Sequence, residues 1–294
     1  MTNVRRRLRE RITAGPVVVA PGIYDAYGAR LVEMAGFEAV YMTGNGVSAS
    51  LLGRADVGLI DLTLFAAHAH RTAAAVEIPL ICDADTGYGN VVNVRRTVQE
   101  FEAAGVAAIH LEDQVMPKRC GHLPGSRPVV PMGEHAKKIE AACAARRDPD
   151  FLIIARTDAA TGHGIDEAIR RAQAYRAAGA DITFVELKSS PGIVDILKRI
   201  AQEVEGPSLL NVEEGGAIGA LTTDEIDRLG FRLAIYPGLG RNAAGYGIRM
   251  ALQTLKGDGS SKAARDRMLT SKEYNAVLKL DEIEAWEKKY LANP

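Results

Sequence analysis

The chain has 294 residues, 47% of them hydrophobic, and a formal net charge of -1. That length and apolar content suffice for a large core in one domain spanning 1–294. The near-zero charge and an aromatic content of 5% exclude the electrostatic and stacking footprint of a nucleic-acid binder, and no apolar run is long enough for a membrane helix.

Arg5, Arg6, Arg7, Arg9 and Arg11 open the chain, but the run lacks serine and leads straight into strand-like sequence, so it reads as a solvated first helix rather than a transit peptide. Short β-branched or apolar runs follow at 17–20, 39–42, 80–83, 107–111, 152–155, 182–185, 208–211 and 233–236. Between them lie segments of helical period, such as 92–104, 166–178 and 192–204, several closed by Ala-Gly or Gly. Eight strands alternating with helices predict an α/β fold of the (β/α)8 barrel type, with a doubly wound open sheet as the rival. The stretch 258–294 lies outside the barrel count and reads as a helical extension. Cys82, Cys120 and Cys143 have no zinc spacing and match reduced thiols of a cytoplasmic protein. His68 and His70, two apart on a predicted helix, cannot share a face, and the glycines around Gly238 and Gly240 lack a nucleotide-binding fingerprint.

In such a barrel, chemistry is expected at the carboxyl ends of the strands. After the second strand, Gly44 and Gly46 flank Asn45 behind Thr43 and would let backbone N–H groups approach an anion, although an ordinary turn accounts for them equally well. The third strand ends in Asp83 and Asp85, whose i, i+2 spacing on an extended chain puts two carboxylates on one side. Glu112 and Asp113 end the fourth and add hard oxygen ligands of the kind Mg2+ or Mn2+ prefers; the bland account is helix capping. Arg156, Glu186, Asn211 and Arg241 come from the remaining ends, and arginine offers a bidentate fork for a carboxylate. Together they describe a pocket for a small carboxylate.

The densest cluster is Lys118-Arg119-Cys120-Gly121-His122. Positive charge on both sides favours a thiolate, so Cys120 is read as a proton-passing thiol rather than a small buried hydrophobe. Gly121 and Gly125 mark a loop expected to close over bound substrate and exclude water.

The segments Asp83-Ala-Asp-Thr-Gly-Tyr-Gly, Glu112-Asp-Gln-Val-Met-Pro-Lys-Arg-Cys-Gly-His and Ala155-Arg-Thr-Asp resemble the isocitrate lyase and phosphoenolpyruvate mutase superfamily over nearly the whole chain. Lys-Arg-Cys-Gly-His is similar to the signature of its carbon–carbon lyases. The resemblance implies a (β/α)8 barrel with its last helix exchanged between paired subunits in a homotetramer, which would account for the extension. It also implies Asp85 as direct magnesium ligand, Asp83 and Glu112 reaching the metal through water, and Cys120 as the acid, with Lys118, Arg119 and His122 stabilising charge and tuning the thiol. Thr43, Gly44 and Asn45 fall where the family holds a substrate carboxylate, with Thr43 replacing its usual serine. Arg156, Glu186, Asn211 and Arg241 match further substrate contacts, Gly121 belongs to the same loop, and Tyr41 and Asp56 match positions that line or close the pocket.

The implied reaction is retro-Claisen cleavage of a 2-hydroxy di- or tricarboxylate into a 2-oxo acid and a carboxylic acid. Pro117 and Phe184-Val-Glu186 resemble the 2-alkylmalate-cleaving branch, whereas Leu123-Pro-Gly-Ser departs from the 2-methylisocitrate lyases; Leu187 and Lys188 in turn depart from the former. The base that takes the hydroxyl proton stays open among Tyr41, Glu186 and a metal-bound water. The alternatives are an oxaloacetate decarboxylase or hydrolase, a phosphonomutase, and a non-catalytic carboxylate-binding barrel.

Overall fold

The computed structural model describes residues 4–121, 123, 125 and 127–291. Eight strands, β1 (Val18–Ile23), β2 (Val40–Met42), β3 (Leu80–Asp83), β4 (Ala108–Glu112), β5 (Leu152–Thr157), β6 (Ile182–Val185), β7 (Ser208–Asn211) and β8 (Leu233–Tyr236), pair in parallel and in sequence order. β8 returns to β1, closing the barrel and disposing of the open sheet. The helices begin and end on local signals: Asp61 caps Leu62–Ala73, Asn90 builds a capping box on Val91–Ala103, and Gly105 and Gly179 take positive φ just past helix ends.

The period of two along each strand divides the side chains between two cores. Val18, Ile81, Ala108, Ile154, Ile182, Leu209 and Leu233 fill the barrel, whose amino-terminal mouth is plugged by Leu8 and Ile12 of the helix Val4–Ala14. Met42, Cys82, Ile109 and Ile153 face the outer helices instead. The first helix is where it was expected, but its arginines are not simply solvated. Arg5 pairs with Asp148, Arg9 with Asp181 and Arg11 with Glu38, tying the plug to loops at that end. No helix among the described residues is long and apolar enough to cross a membrane.

Beyond β8 the helix Leu239–Asp258 has no buried residue, and a 3-10 turn (Lys262–Arg267) and the helices Ser271–Val277 and Leu280–Tyr290 follow. Ser271–Val277 docks on the helix Ala26–Met34 through the Tyr27–Tyr274 ring contact.

Candidate active site

The interior parity of the strands decides which side chains reach the carboxyl-end cleft. Tyr41 and Thr43, Asp83, Glu112, Arg156, Phe184 and Glu186, Asn211, Ile235 and Pro237 all line it, joined by Asn45, Asp56, Lys118, Cys120, Gly121 and Arg241 from the following segments. β5 runs two residues further than expected, so Arg156 is a strand residue pointing inward rather than a loop residue. Its guanidinium is clamped by Asp158, with Nε 2.9 Å from Oδ2 and Nη2 3.0 Å from Oδ1, and lies 3.3 Å from Glu112 Oε2 and 3.7 Å from Glu186 Oε2. The Phe184 ring lies 4.9 Å beneath it. Asn211 Nδ2 donates to Glu186 Oε2 at 3.1 Å.

Thr43 caps the helix Gly44–Leu52 without a side-chain bond, so the helix amino terminus opens on the cleft with N–H groups that have no intrahelical partner. Gly44 itself backs the site: a Cβ there would sit 2.5 Å from Asp83 Oδ2.

Asp83 and Asp85 do not share a side of one extended strand. β3 stops at Asp83, Asp85 adopts φ 48, and its N–H donates to Asp83 Oδ1 at 2.9 Å, a local turn of the sort that short acidic side chains favour over regular strand. The two carboxylates therefore take different partners. Asp83 faces His110 Nδ1 at 3.6 Å, whereas Asp85 Oδ1 lies 2.7 Å from Lys118 Nζ. Asp113 also departs from expectation. Opposite in parity to Glu112, it points out of the barrel, accepting from Thr157 Oγ1, Arg171 Nη1 and Tyr175 Oη.

Lys118 is 2% exposed and also donates to Asp56 Oδ2 at 2.7 Å. Facing Asp85, Asp83, Asp56 and Glu112, its ammonium stays charged well above the usual range despite burial. Lys118 thus pairs with carboxylates, while Cys120 Sγ accepts from Asn45 Nδ2 at 3.1 Å. Arg119 is outside the cleft lining. Gln114 grips its backbone in both directions, and its guanidinium lies against Gly125, where a Cβ would meet Nη1 at 2.8 Å. His122 lies outside the described residues. The cysteine segment is fixed where Cys120 N donates to Asp56 O at 3.1 Å and where Gly121 lies so close to Glu186 that a Cβ would meet Oε1 at 2.5 Å.

The donor set suits a hard divalent cation. Asp83, Asp85 and Glu112 are all buried carboxyls, and Glu112 Oε1 has no protein partner among the described residues. Burial pushes the Asp85 carboxyl up to about 7, and Asp83 and Asp56 reinforce this against the pull of Lys118. A site so rich in negative charge is completed by added positive charge. Among the described residues no three His, Cys, Asp or Glu side chains converge as a ready-made metal cluster.

Sequence reasoning missed the apolar wall of Phe184, Ile235 and Pro237, and the buried His110, whose Nε2 lies 2.7 Å from Tyr41 Oη. The signal was the parity of β4, which puts His110 on the same side as Glu112.

The phosphoenolpyruvate phosphomutase family model matches residues 8–255. The 2,3-dimethylmalate lyase of Eubacterium barkeri is 46% identical over 288 residues, 98% of each chain. A structure of oxaloacetate acetylhydrolase with the inhibitor 3,3-difluorooxalacetate superposes with a TM-score of 0.92 at 34% identity, covering 99% of this chain and 98% of that one. Phosphonopyruvate hydrolase in complex with oxalate and Mg2+ superposes at 0.89 with 31% identity, covering 99% and 100%.

Proposed function

The chain belongs to the phosphoenolpyruvate mutase/isocitrate lyase superfamily, and from that premise we propose that it is a carbon–carbon lyase cleaving a 2-hydroxy dicarboxylate of the 2-alkylmalate kind into a 2-oxo acid and a carboxylic acid, with 2-methylisocitrate as second choice of substrate. The observation that carries this reading is the cysteine. Cys120 Sγ, held by Asn45 Nδ2 at 3.1 Å, lines the same cleft as Asp83, Glu112 and Arg156.

Asp85 would hold a Mg2+ or Mn2+ ion directly, with Asp83 and Glu112 behind water. When bound, that ion supplies Lewis acidity for the 2-hydroxyl and its adjacent carboxylate. The open N–H groups at Gly44 and Asn45 hold one substrate carboxylate, and Arg156 and Arg241 receive the remaining negative charge. In the cleavage a base, Glu186 or a water, takes the hydroxyl proton, the O–H bonding pair becomes the new C=O bond, the carbon–carbon pair goes to the leaving carbon, and Cys120 protonates that carbon as general acid. Tyr41 is unsuited to be the base. Burial drives its phenol well above 10 and Asp83 adds to this, so it stays protonated and acts as a hydrogen-bond donor.

The similarity to oxaloacetate acetylhydrolase supports a second reading, hydrolysis of oxaloacetate, in which the thiol has no part. An assay with Mg2+, a panel of 2-alkylmalates, 2-methylisocitrate, isocitrate and oxaloacetate, and the variant Cys120→Ser separates them. Release of a 2-oxo acid that the variant loses, while it still binds substrate, supports the lyase. Oxaloacetate turnover unaffected by the variant moves the protein to the hydrolase or decarboxylase reading, and binding without turnover to a carboxylate-binding barrel.

The same reading includes a homotetramer of helix-exchanged dimers, supported by the apolar face of Leu239–Asp258, where Ile248, Leu252 and Leu255 are exposed at i, i+4 and i+7. Cys82, Cys120 and Cys143 form no disulfide, in keeping with a cytoplasmic setting.

A further inference from the structure

Behind the cleft, one carboxylate is shared by two buried arginines. Asp158 clamps the substrate-facing Arg156 from one side, and on the other its Oδ1 accepts from Arg127 Nη1 at 2.9 Å. The side chains of Arg127 and Asp158 are 1% and 0% exposed. Arg127 also donates from Nη2 to Thr161 Oγ1 at 2.7 Å, and the Asp158 backbone N–H is anchored to Asp113 Oδ1 at 2.9 Å. Arg127 stands at the carboxyl-terminal stem of the segment that carries Lys118 and Cys120. A Cβ on Gly121 would meet Arg127 Nη1 at 3.0 Å as well as Glu186, so the stem arginine touches the residue next to the thiol.

A buried guanidinium is costly to desolvate and is retained where directional hydrogen bonds hold it; Nη1 and Nη2 of Arg127 are both paired, while Nε has no hydrogen-bond partner among the described residues. Here the fork of Arg127 joins three things that must be in register: the cysteine segment, the short helix Ala159–His163 after β5 with its cap Asp158 and its Thr161, and, through Asp158, the guanidinium of Arg156. The other end of the segment is fixed separately by Gln114 on the Arg119 backbone. We propose that Arg127 is a positioning residue, which through the carboxylate of Asp158 sets Cys120 and Arg156 in a single geometry. It touches no reacting atom; its role is to make the placement of the acid and of the substrate-binding guanidinium one event. This deepens the lyase reading, and one arm of its test does not depend on that reading.

The test compares Arg127→Gln, Arg127→Lys and Thr161→Val with the wild-type chain. It reads kcat, KM, thermal midpoint and the rate at which iodoacetamide alkylates Cys120, followed on the Cys120 peptide by mass spectrometry so that Cys82 and Cys143 are counted apart. The expected result for Arg127→Gln is a change in Cys120 alkylation of about tenfold, a kcat lower by about tenfold or more and a raised KM, since displacement of catalytic groups by about an ångström has effects of this order. Arg127→Lys, which returns a cation to Asp158, recovers most of the alkylation rate. Thr161→Val, which removes only the Nη2 acceptor, gives an intermediate value. Wild-type alkylation and kcat in Arg127→Gln below its thermal midpoint would overturn the proposal, as would a lowered midpoint with both rates unchanged. If Arg127→Gln does not fold, wild-type alkylation in Thr161→Val overturns it. If none of the assayed acids is cleaved, the lyase reading fails while the alkylation arm still decides the role of Arg127.

Discussion

Tyr41 Oη and His110 Nε2 lie 2.7 Å apart inside the barrel, and the other ring nitrogen of His110 faces Asp83 Oδ1 at 3.6 Å. Burial holds the His110 imidazole down to about 4, so at neutral pH the ring is uncharged. A neutral ring with its proton toward Asp83 accepts from the phenol. Tyr41→Phe should therefore lower kcat by about tenfold, short of the roughly 10²–10⁴ that loss of a general base costs. A loss in that larger range, together with disappearance of one limb of the pH–rate profile, would restore Tyr41 as the base.

Burial also keeps His135 down to about 3. An unfolded histidine titrates near 6.5, so as pH falls from there toward 3 the unfolded chain takes up a proton that the folded chain refuses. Bound protons are then more numerous in the unfolded state, stability rises with pH, and this contribution is lost on acidification. Urea midpoints from pH 7 to 4.5 should fall more steeply for the wild-type chain than for His135→Gln. Parallel curves would show that His135 does not contribute.

Gly44→Ala sets two rules in opposition. Alanine is the better helix former by about 1 kcal/mol, so the local rule predicts stabilisation. The added Cβ would meet Asp83 Oδ2 at 2.5 Å, and Asp83 has little room to retreat beside His110. The expected outcome is loss of activity by about 10²-fold, since misplacing a charged group in a site is penalised far more than a helix propensity is rewarded. Retained activity would mean that Asp83 has no fixed position.

Mg2+ at 100 times its dissociation constant should stabilise the fold by about 2.7 kcal/mol, read as a rise in thermal midpoint that a chelator reverses. Asp85→Asn should lose the rise. Because burial, with Asp83 and Asp56 adding to it, pushes this carboxyl up to about 7, its charge is costly there, and this variant should be at least as stable as the wild-type chain without metal.

In the carboxyl-terminal region Ile248, Leu252 and Leu255 lie exposed on one face of the helix Leu239–Asp258, and Ile283 and Trp286 are exposed on the helix Leu280–Tyr290. Sedimentation should give a species of several 31.5 kDa chains, and Ile248→Glu with Leu252→Glu should shift it toward smaller species. An unchanged sedimentation coefficient would leave this face without a role in assembly.

The strand spacing was legible because apolar runs of four or five residues are a local property of the chain, and six of the eight predicted strands begin within one residue of the observed ones and end at or next to them. Most of the site was legible for a related reason: in a parallel barrel, polar residues at strand ends have one place to go, so Glu112, Glu186 and Asn211 could be assigned before any coordinate was known. The partners of those residues were not legible. That Lys118 pairs with Asp56 depends on a contact across 62 residues, and that Asp85 leaves the extended chain depends on a hydrogen bond back to Asp83. That Asp113 turns outward while Glu112 turns inward is a matter of parity, which a one-residue error in strand register would invert. Sequence alone determined which chemical groups gather at the mouth of the barrel; tertiary structure decided which of them touch, because the pairing of buried charges is set by desolvation and distance, quantities that no linear spacing contains.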